Sequence, residues 1–301
     1  MKILVLHTLP PDELDPAASR LRDEFDLSAG AQNVASALPE ADVIGVRGEA
    51  REIVGVLGAA RPDVVFNLCE APLGNPALET HAAALFEWIG VRFTGSPSET
   101  LALCRRKDRT RAVLAARGVS VARTGVFPCI VKPADEDGSA GISEDSICED
   151  ECAVERARAR WPGPVVVEEF LPGREFAVSL WGRREPECVS IGETLFQNGL
   201  RLITYRAKWD VESDEFANTP LEYHGAVPPE VADAARGAWE AVGARGYLRV
   251  DIRLDRDGRA CVLDVNPNPE IGPGVGICRA AQEAGWTWAQ FVRRQVEWAC
   301  S

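Results

Sequence analysis

The chain has 301 residues, 46% of them hydrophobic and 26% charged, and a net charge of −13. That length suits two or three compact lobes with a substantial core. The acidic balance, with no dense Lys/Arg run, excludes nucleic acid and anionic membrane as the main partner. Nine cysteines are scattered with no Cys-x-x-Cys pair, which excludes a zinc knuckle and reads as reduced, mostly buried thiols in a cytoplasmic protein. Cys148 and Cys152 have the spacing of one helix face, but two thiols make no metal site.

The first apolar run, Ile3 to Leu6, is too short for a signal sequence or a membrane span and reads as a buried strand. An Ala-rich helix follows over 29–38, then a strand at Val43 to Val46, a helix at Ile53 to Ala60 and a strand at Val64 to Leu68. Residues 77–89 form an amphipathic helix ended by Gly90. Short β-branched runs alternating with helices predict a doubly wound parallel sheet, an α/β beginning. The turn-rich run Thr94-Gly95-Ser96-Pro97-Ser98 marks a first boundary. Beyond it come a basic helix over Lys107 to Arg117, a strand at Cys129 to Lys132, and strands at Val165 to Phe170 and Glu175 to Trp181. Tyr247 to Leu254 and Arg259 to Val265 read as an antiparallel pair around an Asp-Gly turn, and Trp286 to Ala299 as a final helix. These later parts are α+β. The run Glu155 to Arg160 reads as a solvated helix face.

Three segments carry chemistry. In the first, Lys132 ends a strand and runs into Pro133-Ala134-Asp135-Glu136-Asp137-Gly138-Ser139-Ala140-Gly141. Exposed N–H groups and the Ser139 hydroxyl could surround phosphate oxygens beside the Lys132 charge, or the run could be a plain surface turn. It is not a Walker A loop, since Gly-Lys-Ser/Thr is absent. In the second, the apolar strand Val165 to Val167 runs into Glu168-Glu169-Phe170-Leu171-Pro172-Gly173-Arg174-Glu175, a base-binding edge or a row of solvated glutamates. In the third, Arg249, Asp251 and Arg253 alternate with apolar residues and share a strand face; Asp264 and Asn266 share one on the next strand. If the strands pair, two carboxylates and an amide oxygen converge, hard ligands suited to Mg²⁺. The alternative is a polar hairpin face.

In this order and spacing the three segments resemble the ATP-grasp superfamily, and within it the D-alanine–D-alanine ligase family, from about Asp63 onward. Val65-Phe66-Asn67-Leu68-Cys69-Glu70, Gly90 to Ser96 and Tyr205-Arg206-Ala207-Lys208-Trp209 extend the resemblance. It implies a three-lobed fold: a small domain at 1–96, one half of a nucleotide clamp at 97–172, and the second half with the metal site at 173–301. It implies that Lys107 and Lys132 contact ATP phosphates, with Ser139 in the closing loop and Lys208 at the γ-phosphate. Glu168 and the backbone of Glu169, Phe170 and Leu171 would hold the adenine, and Glu175 the ribose. Asp251, Asp264 and Asn266 would bind two Mg²⁺ ions, with Mn²⁺ as an alternative. Arg249 would stabilise the oxyanion formed at the reacting carboxyl carbon. Glu70 would lie at the substrates, and a lid including residues 205–220 would exclude water.

The implied reaction joins a small carboxylate to an amine, amino acids or a peptide, through an acyl-phosphate, releasing ADP and phosphate. Other readings are a ligase of a different amino-acid or peptide pair, a carboxylating or phosphorylating relative, and a catalytically silent nucleotide-binding protein. The resemblance also suggests a homodimer. The chain departs from the family at both substrate ends. Where the family carries Asn-x-x-Pro-Gly and then Ser-Leu, this chain has Glu270 at the glycine and Val275 at the serine. A carboxylate against a carboxylate substrate costs about 1 kcal/mol or more, so Glu270 is expected to meet a cationic amine instead. Near the N-terminus His7-Thr8-Leu9-Pro10-Pro11 replaces a Gly-Gly turn, and Glu24 stands where the first amino group would bind. Trp209 replaces the tyrosine usual after the lid lysine.

Overall fold

A computed structural model of the chain describes residues 1–10, 27–134, 139, 141–223, 227–272 and 276–301. Glu24, Val275 and residues 135–138 and 140 of the loop after Lys132 lie outside the described residues.

The first sheet joins β1 (Ile3–Thr8), β2 (Asp42–Val46), β3 (Val64–Leu68) and β4 (Arg92–Phe93) in the order β2-β1-β3-β4, every pair parallel. Alternation along β1 makes it doubly wound. Ile3 and Val5 pack with Ala31 and Val34 of the helix Ser28–Ala37 on one side. Leu4 and Leu6 pack with Ile53, Leu57 and Phe86 of the helices Ala50–Ala60 and Glu79–Ile89 on the other. The helix Trp288–Cys300, from the far end of the chain, returns to this sheet, where Phe291 and Val296 join the core of Ile3 and Val5.

Two antiparallel sheets follow. The smaller has the order β6-β5-β7, from β5 (Cys129–Pro133), β6 (Ile147–Cys148) and β7 (Val165–Glu169). One face, with Cys129 and Val131, packs on Val154 and Ala157 of the helix Glu151–Arg158. The larger adds β8 (Glu175–Gly182), β9 (Pro186–Thr194), β10 (Leu221–Glu222), β11 (Gly246–Leu254) and β12 (Ala260–Asn266) in the order β10-β9-β8-β11-β12. Phe176, Val178, Leu180, Leu248, Val250 and Ile252 bury against Val231, Ala235 and Trp239 of the helix Pro229–Val242. Truncating Trp239 to Ala would cost about 3–5 kcal/mol. Each sheet thus spends one face on a helix, and the period of two sends its polar residues to the other.

Cys148 lies in β6, not on a helix with Cys152, which corrects the helix-face expectation. The β6 backbone is claimed by pairing with β5, and Asp150 caps the helix only afterwards, accepting from the Ala153 N–H. All nine cysteines are free, and six are buried. No described helix is long and apolar enough to cross a membrane.

Candidate active site

The polar faces of the two antiparallel sheets border a cleft that opens to solvent. Of the residues expected from the sequence, Lys107, Lys132, Ser139, Glu168, Glu169, Phe170, Leu171, Glu175, Lys208, Arg249, Asp251, Asp264 and Asn266 all line it. Glu70 and Glu270 do not, and Glu24 and Val275 lie outside the described residues.

Lys107 begins the helix Lys107–Ala116; its backbone N–H donates to the Ala134 carbonyl at 2.9 Å, and its ammonium lies 3.4 Å from Asp264. Lys132 points across the cleft, 2.6 Å from Glu168 Oε1, and donates to the Leu263 carbonyl at 3.2 Å. That carbonyl is available because the β11–β12 ladder slips by one residue: Asp251 pairs with Asp264, but Ile252 with Val262. A bulge removes Leu263 from the ladder and turns its backbone to a new partner. Lys208 sits in the short helix Tyr205–Trp209, whose start is capped by Thr204. Burial, followed by the Arg249 charge, holds its ammonium below the usual lysine value.

At the end of β7 the alternation separates two neighbouring glutamates. Glu168 turns inward and lies 3.5 Å from Arg111 Nε as well as beside Lys132. Glu169, also buried, turns to the other side of the strand and is held by Arg123 through two hydrogen bonds of 2.7 and 2.8 Å. The Glu168 carboxylate expected at the adenine is therefore engaged by two cations. The Glu169 N–H donates to Arg123 O and the Phe170 N–H to Pro128 O. The Leu171 N–H has no partner among the described residues, leaving a donor at the cleft wall. Glu175 is buried; burial pushes its carboxyl above the usual range, and Arg253 is the largest opposing influence.

Asp251 and Asp264 face each other in register on β11 and β12, and Arg249 faces Asn266 two pairs along, on the same sheet face. Arg249 grips Asp251 with Nε at 2.8 Å and Nη2 at 3.2 Å. Burial pushes the Asp264 carboxyl up, but Lys107, Lys132, Lys208 and Arg249 outweigh it and hold the pKa below the usual value. Asn266 Oδ1 accepts the Asn268 N–H at 3.0 Å. Two carboxylates and an amide oxygen on one sheet face fit a hard divalent cation that takes its remaining ligands from phosphate and water. Among the described residues no three His, Cys, Asp or Glu side chains form a metal site of their own.

Beyond Asn266 the chain meets the parallel sheet. Tyr247 donates to Asn268 Oδ1 at 2.9 Å, and Asn268 Nδ2 donates to Glu79 Oε1 at 2.5 Å. Burial, then Glu79 and Glu270, push the Glu70 carboxyl up to about 8. The Cys69 thiol beside it is buried and pushed well above its usual pKa, which excludes a thiolate nucleophile.

Arg111, Asn268 and Glu79 were not singled out in the sequence. Arg111 had a signal, since it lies four residues after Lys107 on one helix face. The Asn268–Glu79 contact spans 189 residues and had none.

Comparison with known proteins agrees with this geometry. A family model described as D-ala D-ala ligase C-terminus matches residues 96–297. The D-alanine--D-alanine ligase of Rhizobium meliloti is 28% identical over 268 residues, covering 82% of this chain and 84% of that relative. The corresponding ligase of Gluconobacter oxydans is 29% identical over 253 residues, covering 79% and 81%. A Sinorhizobium fredii protein named "Uncharacterized protein y4sG" is 29% identical over 243 residues, covering 76% and 72%. The fold is that of the D-alanine--D-alanine ligase of Bacillus anthracis solved with ATP, at a TM-score of 0.72 and 16% identity over 99% of this chain and 97% of that one. The expectation of an ATP-dependent carbon–nitrogen ligase agrees with these relatives. The chain belongs to the D-alanine–D-alanine ligase family of the ATP-grasp superfamily.

Proposed function

We propose that this protein is an ATP-dependent ligase that joins the carboxylate of one small amino acid or peptide to the amine of another, releasing ADP and phosphate. The observation that carries this reading is the convergence of Lys107, Lys132, Lys208 and Arg249 on the facing pair Asp251 and Asp264 in one cleft. A module that only bound nucleotide would not need so many charges around one point.

The residues divide the work. Lys107, Lys132 and Lys208 neutralise the charge spreading over the phosphoryl oxygens as a carboxylate oxygen attacks the γ-phosphorus. The amine then attacks the acyl-phosphate, and Arg249 donates to the oxyanion that forms at the carboxyl carbon. Asp251, Asp264 and Asn266 would hold Mg²⁺, two ions or Mn²⁺ in their place, which supplies Lewis-acid polarisation of the phosphates. Leu171 N–H and Glu175 would hold the adenine and ribose, and the segment around Lys208 would close over the site and exclude water. We retain the division at 1–96, 97–172 and 173–301 and the homodimer as parts of this proposal. The donor amino group at Glu24 and the acceptor contact at Val275 belong to it as well.

The test is ADP release from Mg²⁺-ATP with D-alanine alone, Arg249→Ala serving as control. Turnover that yields D-alanyl-D-alanine and is lost in the variant supports D-alanine as both substrates. Nucleotide binding with no turnover on D-alanine or on a panel of other amino acids and peptides would overturn the ligase reading.

A further inference from the structure

The face of β11 that carries Arg249 and Asp251 carries a third polar residue, Arg253, to which the function proposed above gives no role. Arg253 is 6% exposed, yet its edge still lines the nucleotide cleft. It is the register partner of Glu175 across the β11–β8 ladder. Its Nη1 donates to Glu175 Oε2 at 3.1 Å and its Nε to the Gly173 carbonyl at 3.0 Å. The guanidinium carbon lies 5.1 Å from the Phe170 ring centre and 4.9 Å from that of Phe196.

These restraints act on one carboxylate. Two aromatic rings hold the guanidinium plane, and the Gly173 carbonyl sets its rotation. Gly173 can come this close because it has no side chain; a Cβ there would lie 2.5 Å from the Leu254 carbonyl oxygen. Glu175 Oε2 is taken by Arg253, while Oε1 has no partner among the described residues. A buried ion pair that served only stability could be replaced by packed apolar residues at little cost. This one leaves a single acceptor atom fixed at the cleft wall.

We propose that Arg253 is a positioning residue for the nucleotide sugar: it holds Glu175 so that Oε1 accepts from a ribose hydroxyl, and so sets the preference for ribonucleotides over deoxyribonucleotides. This rests on the nucleotide placement proposed above. Arg253 also opposes the effect of burial on Glu175, favouring the ionised carboxylate, the stronger acceptor.

The experiment is calorimetric titration of Mg²⁺-ADP, Mg²⁺-2′-deoxy-ADP and Mg²⁺-3′-deoxy-ADP into the wild-type chain, Arg253→Met, Arg253→Lys and Glu175→Gln. The wild type is expected to bind ADP about tenfold more tightly than at least one deoxy analogue, the worth of a charge-assisted hydrogen bond. Arg253→Met should bring that ratio to within about twofold by weakening ADP alone, with Arg253→Lys in between. A general loss of fold would weaken all three ligands equally and leave the ratio unchanged. Full preference in Arg253→Met alongside a lost preference in Glu175→Gln would overturn the proposal and leave Arg253 a structural ion pair. Full preference in Glu175→Gln would overturn the ribose placement itself. If Arg253→Met does not fold, Phe196→Leu removes one ring and keeps the ion pair. A reduced ratio in it supports the proposal, and an unchanged ratio overturns it.

Discussion

Lys132 Nζ and Glu168 Oε1 lie 2.6 Å apart, on neighbouring strands and with both side chains almost wholly buried. The pair sets the direction of the ammonium before any phosphate arrives. Removing one partner of a buried pair strands the other, at about 3–5 kcal/mol. Glu168→Gln should therefore lower thermal stability and raise the KM for ATP at least tenfold. Saturating Mg²⁺-ATP should restore part of the stability, because its phosphates replace the lost carboxylate beside Lys132. Thermal scans with and without nucleotide check this; equal destabilisation in both would show that Lys132 does not meet phosphate.

Arg249 acts at a different stage. Its bidentate hold on Asp251 fixes the guanidinium over the carboxylate pair. Arg249→Ala should reduce kcat about 10²–10³-fold, the usual loss for one oxyanion donor. ADP affinity should change by less than about threefold. A parallel loss of ADP affinity in titration would place Arg249 on the nucleotide instead.

Glu70 predicts a pH effect on stability. Its folded pKa of about 8 stands above the unfolded carboxylate value, so its contribution is intact below about pH 4.5 and is lost as pH rises toward 8. Glu70→Gln should remove this dependence. The melting temperature of the variant, relative to wild type, should rise between pH 5 and pH 8. A constant difference across that window would mean that Glu70 is ionised throughout.

Glu270 is exposed just past Asn268, and its charge reaches Glu70. Glu270→Gly should raise the KM of a cationic amine substrate severalfold while leaving neutral amino acids unaffected. The size is modest because an exposed charge is well screened. Product formation from paired neutral and cationic amines checks it, and equal effects on both would sink the idea.

Much of the fold could be read from periodicity. The alternation of Arg249, Asp251 and Arg253 placed one polar face on β11, and Asp251 pairs with Asp264 across the β11–β12 ladder. The parallel sheet at the start and the antiparallel pair at the end stand where the apolar runs put them. Such patterns are local, since a strand shows its two faces whatever it packs against.

The partners of those residues were decided only in three dimensions. Nothing in the run Glu168-Glu169 says that the first carboxylate meets Lys132 and Arg111 while the second meets Arg123. Nothing near Asn268 announces Glu79, and nothing near Leu263 announces the bulge that hands its carbonyl to Lys132. The chain's own sequence determined the strand faces, the turn positions and the set of charged residues available. The tertiary structure decided which charges neutralise one another and which remain to meet a ligand, because ion pairing in a buried cleft depends on distances between segments far apart in the chain.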